Sequence, residues 1–357
     1  MIKRHYFIFI ICLIISSGKA TAQLTGKSTF AFMNLPNSAR TTALGGSTLA
    51  SLEKDISTTY LNPASLTKDH DKWLSLNYNN HLGDIKHGYV GFAKEFEKMG
   101  TWSGGVFYVD YGSIDSYDER ENYLGKETAG EYCFQITHSK QLSEKFRVGG
   151  SFKYIYSVIG SYVGNGAALD LGGSYLNEEK KLSASLVVRN AGVQLVKYTD
   201  EGPRESLPFG VHIGLTKELE HMPFRFHVLF HDLQKWDLTY ANSNSANVEI
   251  DLETGEPIKE KSTFGDKFMR HLNLGGEFIL GAKRNFNISF GYNHQKRKEI
   301  APEIRRGMTG FSWGIGFRIN KFQVGYGSSS YFPGFNTNQF SVNLNLNDFK
   351  KVKKKKN

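Results

Sequence analysis

The sequence predicts an all-β, membrane-spanning antiparallel barrel of about fourteen strands with a small N-terminal plug segment in its lumen. Three observations carry this: an export leader, a long series of period-two segments, and connections that alternate between short and long. Each constrains a different property. The leader sets the compartment, the period sets the secondary structure, and the connections set the topology.

Lys3 and Arg4 precede an apolar run from Tyr6 to Ile15, and Ala20-Thr21-Ala22 offers small residues at the spacing a signal peptidase requires. Residues 1–22 therefore read as a secretory signal, and the mature chain is expected to begin near Gln23. The apolar run falls short of the ~20 residues that a bilayer-spanning helix needs, and no later stretch approaches that length. Cys12 lies within the run, so Cys133 alone would remain after cleavage. A disulfide framework or a cysteine-rich metal site is excluded.

The net charge of +9 has a local origin. Lys3, Arg4, Lys19 and the six lysines of the 350–357 tail supply nine of the 44 basic residues, leaving 35 against 35 acidic ones. No basic surface of the kind that binds nucleic acid is implied. The tail reads as a solvated periplasmic end.

From Trp73 onward, apolar and polar residues alternate in short segments, as strands with two differently solvated faces require. Phe340, Val342, Leu344 and Leu346 alternate with Ser341, Asn343, Asn345 and Asn347. Phe311, Trp313, Ile315, Phe317 and Ile319 alternate with Gly310, Ser312, Gly314, Gly316 and Arg318. Such segments fall near 73–80, 84–94, 101–111, 129–141, 145–157, 165–177, 181–190, 206–218, 223–232, 269–281, 284–294, 307–319, 322–331 and 337–347. Most match the ~9–11 residues of a tilted membrane strand.

Connections after even-numbered segments are short, as at 142–144, 282–283 and 320–321. Those after odd-numbered segments are mostly long, as at 112–128, 191–205, 233–268 and 295–306, with 81–83 an exception. Short periplasmic turns and long outer loops are the outer-membrane pattern. Closure follows because no strand edge can face lipid unpaired. A soluble β-sandwich would share the alternation but not the loop-length pattern together with 26 Phe and 18 Tyr. The barrel is thus assigned to 67–349.

Residues 23–66 lack a clear period. Gly45 and Gly46 point to a bend or close backbone packing, and Asn62-Pro63 closes the segment, since proline cannot donate and extends the residue before it. The segment reads as a luminal plug or, equally on composition, a periplasmic arm. The polar face of the strands consists mainly of Ser, Asn, Gly, Thr, Arg and His, which argues against a greasy conduit.

The sequence is expected to hold no catalytic, cofactor-binding or metal site. Ser312 in Gly310-Phe311-Ser312-Trp313-Gly314 matches a nucleophile elbow but lies in a strand, and Ser51-Leu52-Glu53-Lys54 stands without partner motifs. His227 and His231 would be about ~13 Å apart along one strand, too far for one metal. Asp170 and Arg318 read as polar lumen filling. The 233–268 connection opens with Trp236, Asp237 and Tyr240 and continues through Glu249, Asp251, Glu253 and Glu256. Its aromatic anchors mark it as a candidate partner-binding loop.

Asn37-Ser38-Ala39-Arg40, Ala43-Leu44-Gly45-Gly46 and Tyr60-Leu61-Asn62-Pro63-Ala64 together resemble the N-terminal region of FadL-like barrels. The resemblance continues through Leu186-Val187-Val188-Arg189-Asn190-Ala191-Gly192, and the block Leu233-Gln234-Lys235-Trp236-Asp237-Leu238-Thr239-Tyr240 narrows it to the outer-membrane barrels of type IX secretion in Bacteroidota. That resemblance implies a non-enzymatic component of the cargo-attachment complex, with outer-membrane lipid around it and PorU, PorV and PorZ as partners. The alternative it leaves is a FadL-like carrier for hydrophobic small molecules. The chain departs from many outer-membrane barrels in that Phe349 is followed by the basic tail.

Overall fold

The structure is a computed structural model that describes residues 28–118, 120–200, 203–239, 262–299, 307–332 and 334–349. The signal segment, Tyr240, the acidic middle of the 233–268 connection and the lysine tail lie outside these residues.

Fourteen antiparallel strands close into one barrel, each paired with its sequence neighbours and β1 with β14. The strands are β1 (Trp73–Asn80), β2 (Lys86–Phe96), β3 (Gly100–Tyr117), β4 (Tyr123–Gln141), β5 (Phe146–Ile159), β6 (Tyr162–Asn177) and β7 (Leu182–Val196). They continue as β8 (Gly210–Glu218), β9 (Phe224–Phe230), β10 (Leu272–Leu280), β11 (Phe286–Asn293), β12 (Phe311–Ile319), β13 (Phe322–Phe332) and β14 (Phe335–Asn345). Closure runs in register from Trp73↔Asn345 to Asn80↔Asn338. No described helix is long and apolar enough to cross a membrane.

The alternation seen in the sequence becomes an inside and an outside. On β14, Phe340 is 52% exposed while Gln339 and Ser341 are buried. The outward row on β12, Phe311, Trp313 and Phe317, is exposed, and Ser312 between them is buried. In water such an outer face would be a continuous apolar patch, so hydrocarbon must be its solvent. The chain is an outer-membrane-type β-barrel.

Two expectations require correction. The long outer connection at 112–128 is largely strand: β3 and β4 run on past the membrane as a hairpin, with Tyr117↔Tyr123 as the last pair. Pairing persists because Ser113–Ser116 and Gly125–Thr128 can still exchange backbone bonds where hydrophobic alternation is no longer demanded. The second correction concerns the lumen. Tyr89, Phe107, Val109, Cys133, Ile155 and Val187 point inward and are fully buried, forming one apolar cluster with Phe32, Met33 and Tyr60 of the N-terminal segment. The inner face is polar on the side of β10 to β14 and partly apolar on the side of β2 to β7. The strands of clearest alternation, β12 and β14, lie on the polar side.

The N-terminal segment fills the lumen, which decides between the plug and the periplasmic arm. It consists of helix α1 (Ala39–Ala43) and single 3-10 turns at Ala31–Asn34, Ile56–Tyr60, Pro63–Ser65 and Lys68–His70. Outside it, α2 (Phe264–Arg270) and α3 (His294–Glu299) lie in the outer connections before β10 and after β11.

Candidate functional site

The plug is built from the motifs that stood out in the sequence. Ser38 caps α1, its Oγ accepting from Thr41 N at 3.2 Å, while Ala39 N donates to Ser341 Oγ of β14 at 2.7 Å. The helix ends after one turn because Gly45 and Gly46 adopt φ of 94° and 102°. That bend lays the backbone of Leu44-Gly45 against β11, where a side chain at Gly291 would collide with Leu44 C and Gly45 N.

Asn62 and Pro63 make the equivalent contact on the opposite wall. Asn62 accepts from Ala64 N at 2.9 Å and donates to Leu49 O at 2.8 Å and to Ser174 Oγ of β6 at 3.0 Å. The Pro63 carbonyl rests on Gly149 of β5, where a Cβ would stand about 2.5 Å from its oxygen. Glycine is needed at both wall positions because backbone meets backbone there and neither side can yield.

Charge then locks the plug. Arg40 forks onto Glu277 of β10, with Nε to Oε1 at 2.8 Å and Nη2 to Oε2 at 2.7 Å. Glu277 is fully buried and also accepts from Ser289 at 3.3 Å, with His227 Nε2 at 2.7 Å and Arg225 at 3.5 Å. Arg225 reaches Glu53 of the plug at 2.9 Å and Glu218 at 2.8 Å, and Arg284 forks onto Glu218. A second buried pair, Lys153 with Asp170 at 2.6 Å, lies beneath Tyr60, whose ring centre is 4.7 Å from Lys153 Nζ. Two charges this deep are tolerable only because each has a counter-ion and further hydrogen bonds.

The periplasmic end closes on His70. It is buried, and burial pulls its imidazole down to about 4 from 6.5, so its Nδ1 accepts from Thr67 N at 3.0 Å. The unfolded imidazole takes up a proton as pH falls through 6.5, the folded one only near 4. The local stability this affords is therefore complete above 6.5 and is lost as pH falls towards 4. The amide protection factors of residues 67–71, with the intrinsic pH dependence of exchange removed, are expected to be high at pH 7.5 and markedly lower at pH 4.5. Equal protection at both values would show that the ring is not buried in its neutral form.

The predicted site residues divide clearly. Gly45, Gly46, Asn62 and Pro63 sit where the plug meets the wall. Ser312 Oγ donates to Ala43 O at 2.9 Å and accepts from Gly45 N at 3.1 Å, so it holds α1 in place. Ser51 accepts from Arg40 Nη1 at 3.0 Å, while Lys54 turns away to Asp69 at 3.0 Å, which separates the Ser51/Lys54 pair. His227 belongs to the Glu277 cluster. Asp170 pairs with Lys153, and Arg318 is exposed at the periplasmic mouth.

Trp236 and Asp237 lie at the outer rim. Trp236 is 49% exposed and stacks on His271 at 5.5 Å and on Phe264 of α2 at 5.3 Å, and Asp237 takes Lys267 at 2.8 Å. Tyr240 and the acidic run from Glu249 to Glu256 fall outside the described residues. Phe264, 73% exposed, and Phe268 extend the rim patch and were missed because their segment has no strand period.

No family model matches the chain. No curated protein matches it either. Among solved structures, the toluene transporter TbuX of Ralstonia pickettii aligns at a TM-score of 0.50 with 11% identity, covering 88% of this chain and 98% of that one. The fold is that of the FadL-like barrels. A deltaS2 mutant of the TodX monoaromatic hydrocarbon channel gives 0.50 at 10% identity over 86% and 96% of the two chains. A FadL homologue of Pseudomonas aeruginosa gives 0.46 at 8% identity over 87% and 98%. At such identities the likeness to TbuX and TodX extends to the barrel fold alone.

Proposed function

We propose that the protein is a non-enzymatic, PorQ-like outer-membrane component of type IX secretion that anchors the cargo-attachment proteins PorU, PorV and PorZ at the cell surface. The observation that carries this reading is the filled lumen. A plug whose Arg40 and Glu53 enter a buried ion network sits across the lumen, and a cavity beside them holds about 100 Å³. A closed barrel offers its partners a rim, and the exposed aromatic patch of Trp236, Phe264 and Phe268 is the surface suited to anchor one.

Purification of the barrel from native envelopes is the test. Co-isolation of PorU, PorV or PorZ supports the anchor, and a barrel that emerges repeatedly without them contradicts it. Trp236→Ala is expected to weaken the association by about 2 kcal/mol, roughly thirtyfold in Kd, the loss typical of an interface hot spot. Unchanged recovery with Trp236→Ala would move the contact elsewhere on the rim.

A second reading, a carrier for hydrophobic small molecules, is favoured by the toluene transporter and the monoaromatic channel that share the fold. The apolar cluster between plug and wall adds to it, since a greasy path would open there if the plug moved. Uptake of labelled toluene by liposomes carrying the barrel, above that of empty ones, would favour the carrier.

A further inference from the structure

The outer half of the wall carries a groove whose lining includes no plug residue, although the plug's Leu44-Gly45 backbone rests on the luminal side of Gly291 at its base. It holds about 630 Å³ on the β9–β13 side, within the range of ~300–1,000 Å³ typical of ligand sites. Phe226, Phe290, Phe311 and Trp313 wall it, and each is between 39% and 51% exposed. Gly275, Gly291 and Ser328 also line it, so strand backbone and a small side chain form the base between the rings. Pairing sets the aromatic rows side by side, Phe290 with Trp313 and Tyr292 with Phe311. These residues face the hydrocarbon, and the groove is therefore open to lipid.

A guanidinium stands at its upper end. Arg297 of α3 lies over the Phe311 ring at 5.4 Å and donates through Nη1 to Gly307 O at 3.3 Å and Thr309 O at 3.2 Å. Its acidic surroundings are taken: Asp266 is shared by Arg270, His294 and Lys298, and Glu299 accepts from Gln295. Among the described residues no carboxylate pairs with Arg297. A guanidinium with five donors, two contacts to carbonyls and none to a carboxylate keeps capacity for a phosphate at headgroup level.

We propose that this groove is a binding site for a phosphate-bearing anionic lipid of the outer leaflet, with one acyl chain between Phe290 and Trp313 and the phosphate on Arg297. A neutral lipid would gain the same apolar contact but leave the cation unused. The headgroup preference should therefore reside in Arg297, and the chain contact in the groove.

Trp313 reports on the site. In a Trp102→Phe, Trp236→Phe background, only buried Trp73 and groove-lining Trp313 remain. The protein would be placed in bilayers doped with brominated-acyl phosphatidylglycerol or brominated-acyl phosphatidylcholine, and quenching compared. The expected result is about fivefold stronger association of the anionic lipid, falling to near parity in Arg297→Gln, the change one surface cation produces. Ser328→Phe, which fills the base of the groove, should reduce quenching by both lipids. Equal quenching by the two headgroups, or a preference that survives Arg297→Gln, would overturn the proposal in favour of ordinary annular lipid. Absence of quenching by either lipid would also overturn it, by showing the groove covered by protein.

Discussion

Glu277→Ala is expected to release the plug while the barrel stays closed. The substitution removes the carboxylate that Arg40 forks onto, leaving it only Ser51, and takes from His227 its carboxylate and from Arg225 one of three, all in a buried setting. Removing one partner of a buried ion pair costs about 3–5 kcal/mol, because the remaining charge is stranded. The cost falls on the contact between plug and wall, since the strand ladder of β10 with β9 and β11 is made by backbone. Limited proteolysis should cut within residues 28–66 of the variant under conditions that spare the parent. In planar bilayers the variant should conduct more than the parent. Glu277→Gln keeps the shape and should give a smaller effect of the same sign. A plug equally resistant in Glu277→Ala would show that packing alone holds it.

Gly149→Val carries the second large effect. The new side chain would occupy the position of the Pro63 carbonyl and Ala64 N, with strand backbone on one side and plug backbone on the other. Overpacking of this kind costs about 1–3 kcal/mol where side chains can shift, and more where only backbone can move. The turn at Pro63–Ser65 should lose its seat, so exchange of residues 56–66 should rise sharply. Gly173→Ala is the control: it follows Gly172 on β6, whose added carbon would meet Asn62 and Ala64, yet nothing stands within 4 Å of its own. It should leave exchange unchanged. Comparable disturbance by both variants would mean that strand propensity, not the plug contact, is the reason for glycine at 149.

How much of this was legible in the sequence depends on the physical signal behind each part. All fourteen strands were, because hydrocarbon outside and a different solvent inside impose period two on every segment. The β1 bounds Trp73–Asn80 coincide with the reading, whereas β3 and β4 overran it beyond the membrane, where alternation is no longer imposed. The plug's motifs were visible at Gly45-Gly46 and Asn62-Pro63, since bends and prolines are local. Its location was not, because Arg40 and Glu277 are 237 positions apart and only closure brings them together. The wall glycines were hidden for the same reason. Gly149 and Gly291 look like any other strand glycine until the plug is seen to rest on them. Asp170 was placed correctly in the lumen, but its partner Lys153 was missed, as a lysine on a strand ordinarily marks a solvated face.

The central claim is that this closed barrel serves cargo attachment, and compartment proteomics of a deletion strain tests it most directly. Proteins bearing type IX C-terminal signal domains would be quantified in periplasm, cell surface and medium with and without the gene. Without the gene they are expected to accumulate in the periplasm or to be released unanchored into the medium. Unchanged cargo distribution with reduced uptake of a hydrophobic compound would contradict it and leave the carrier in its place.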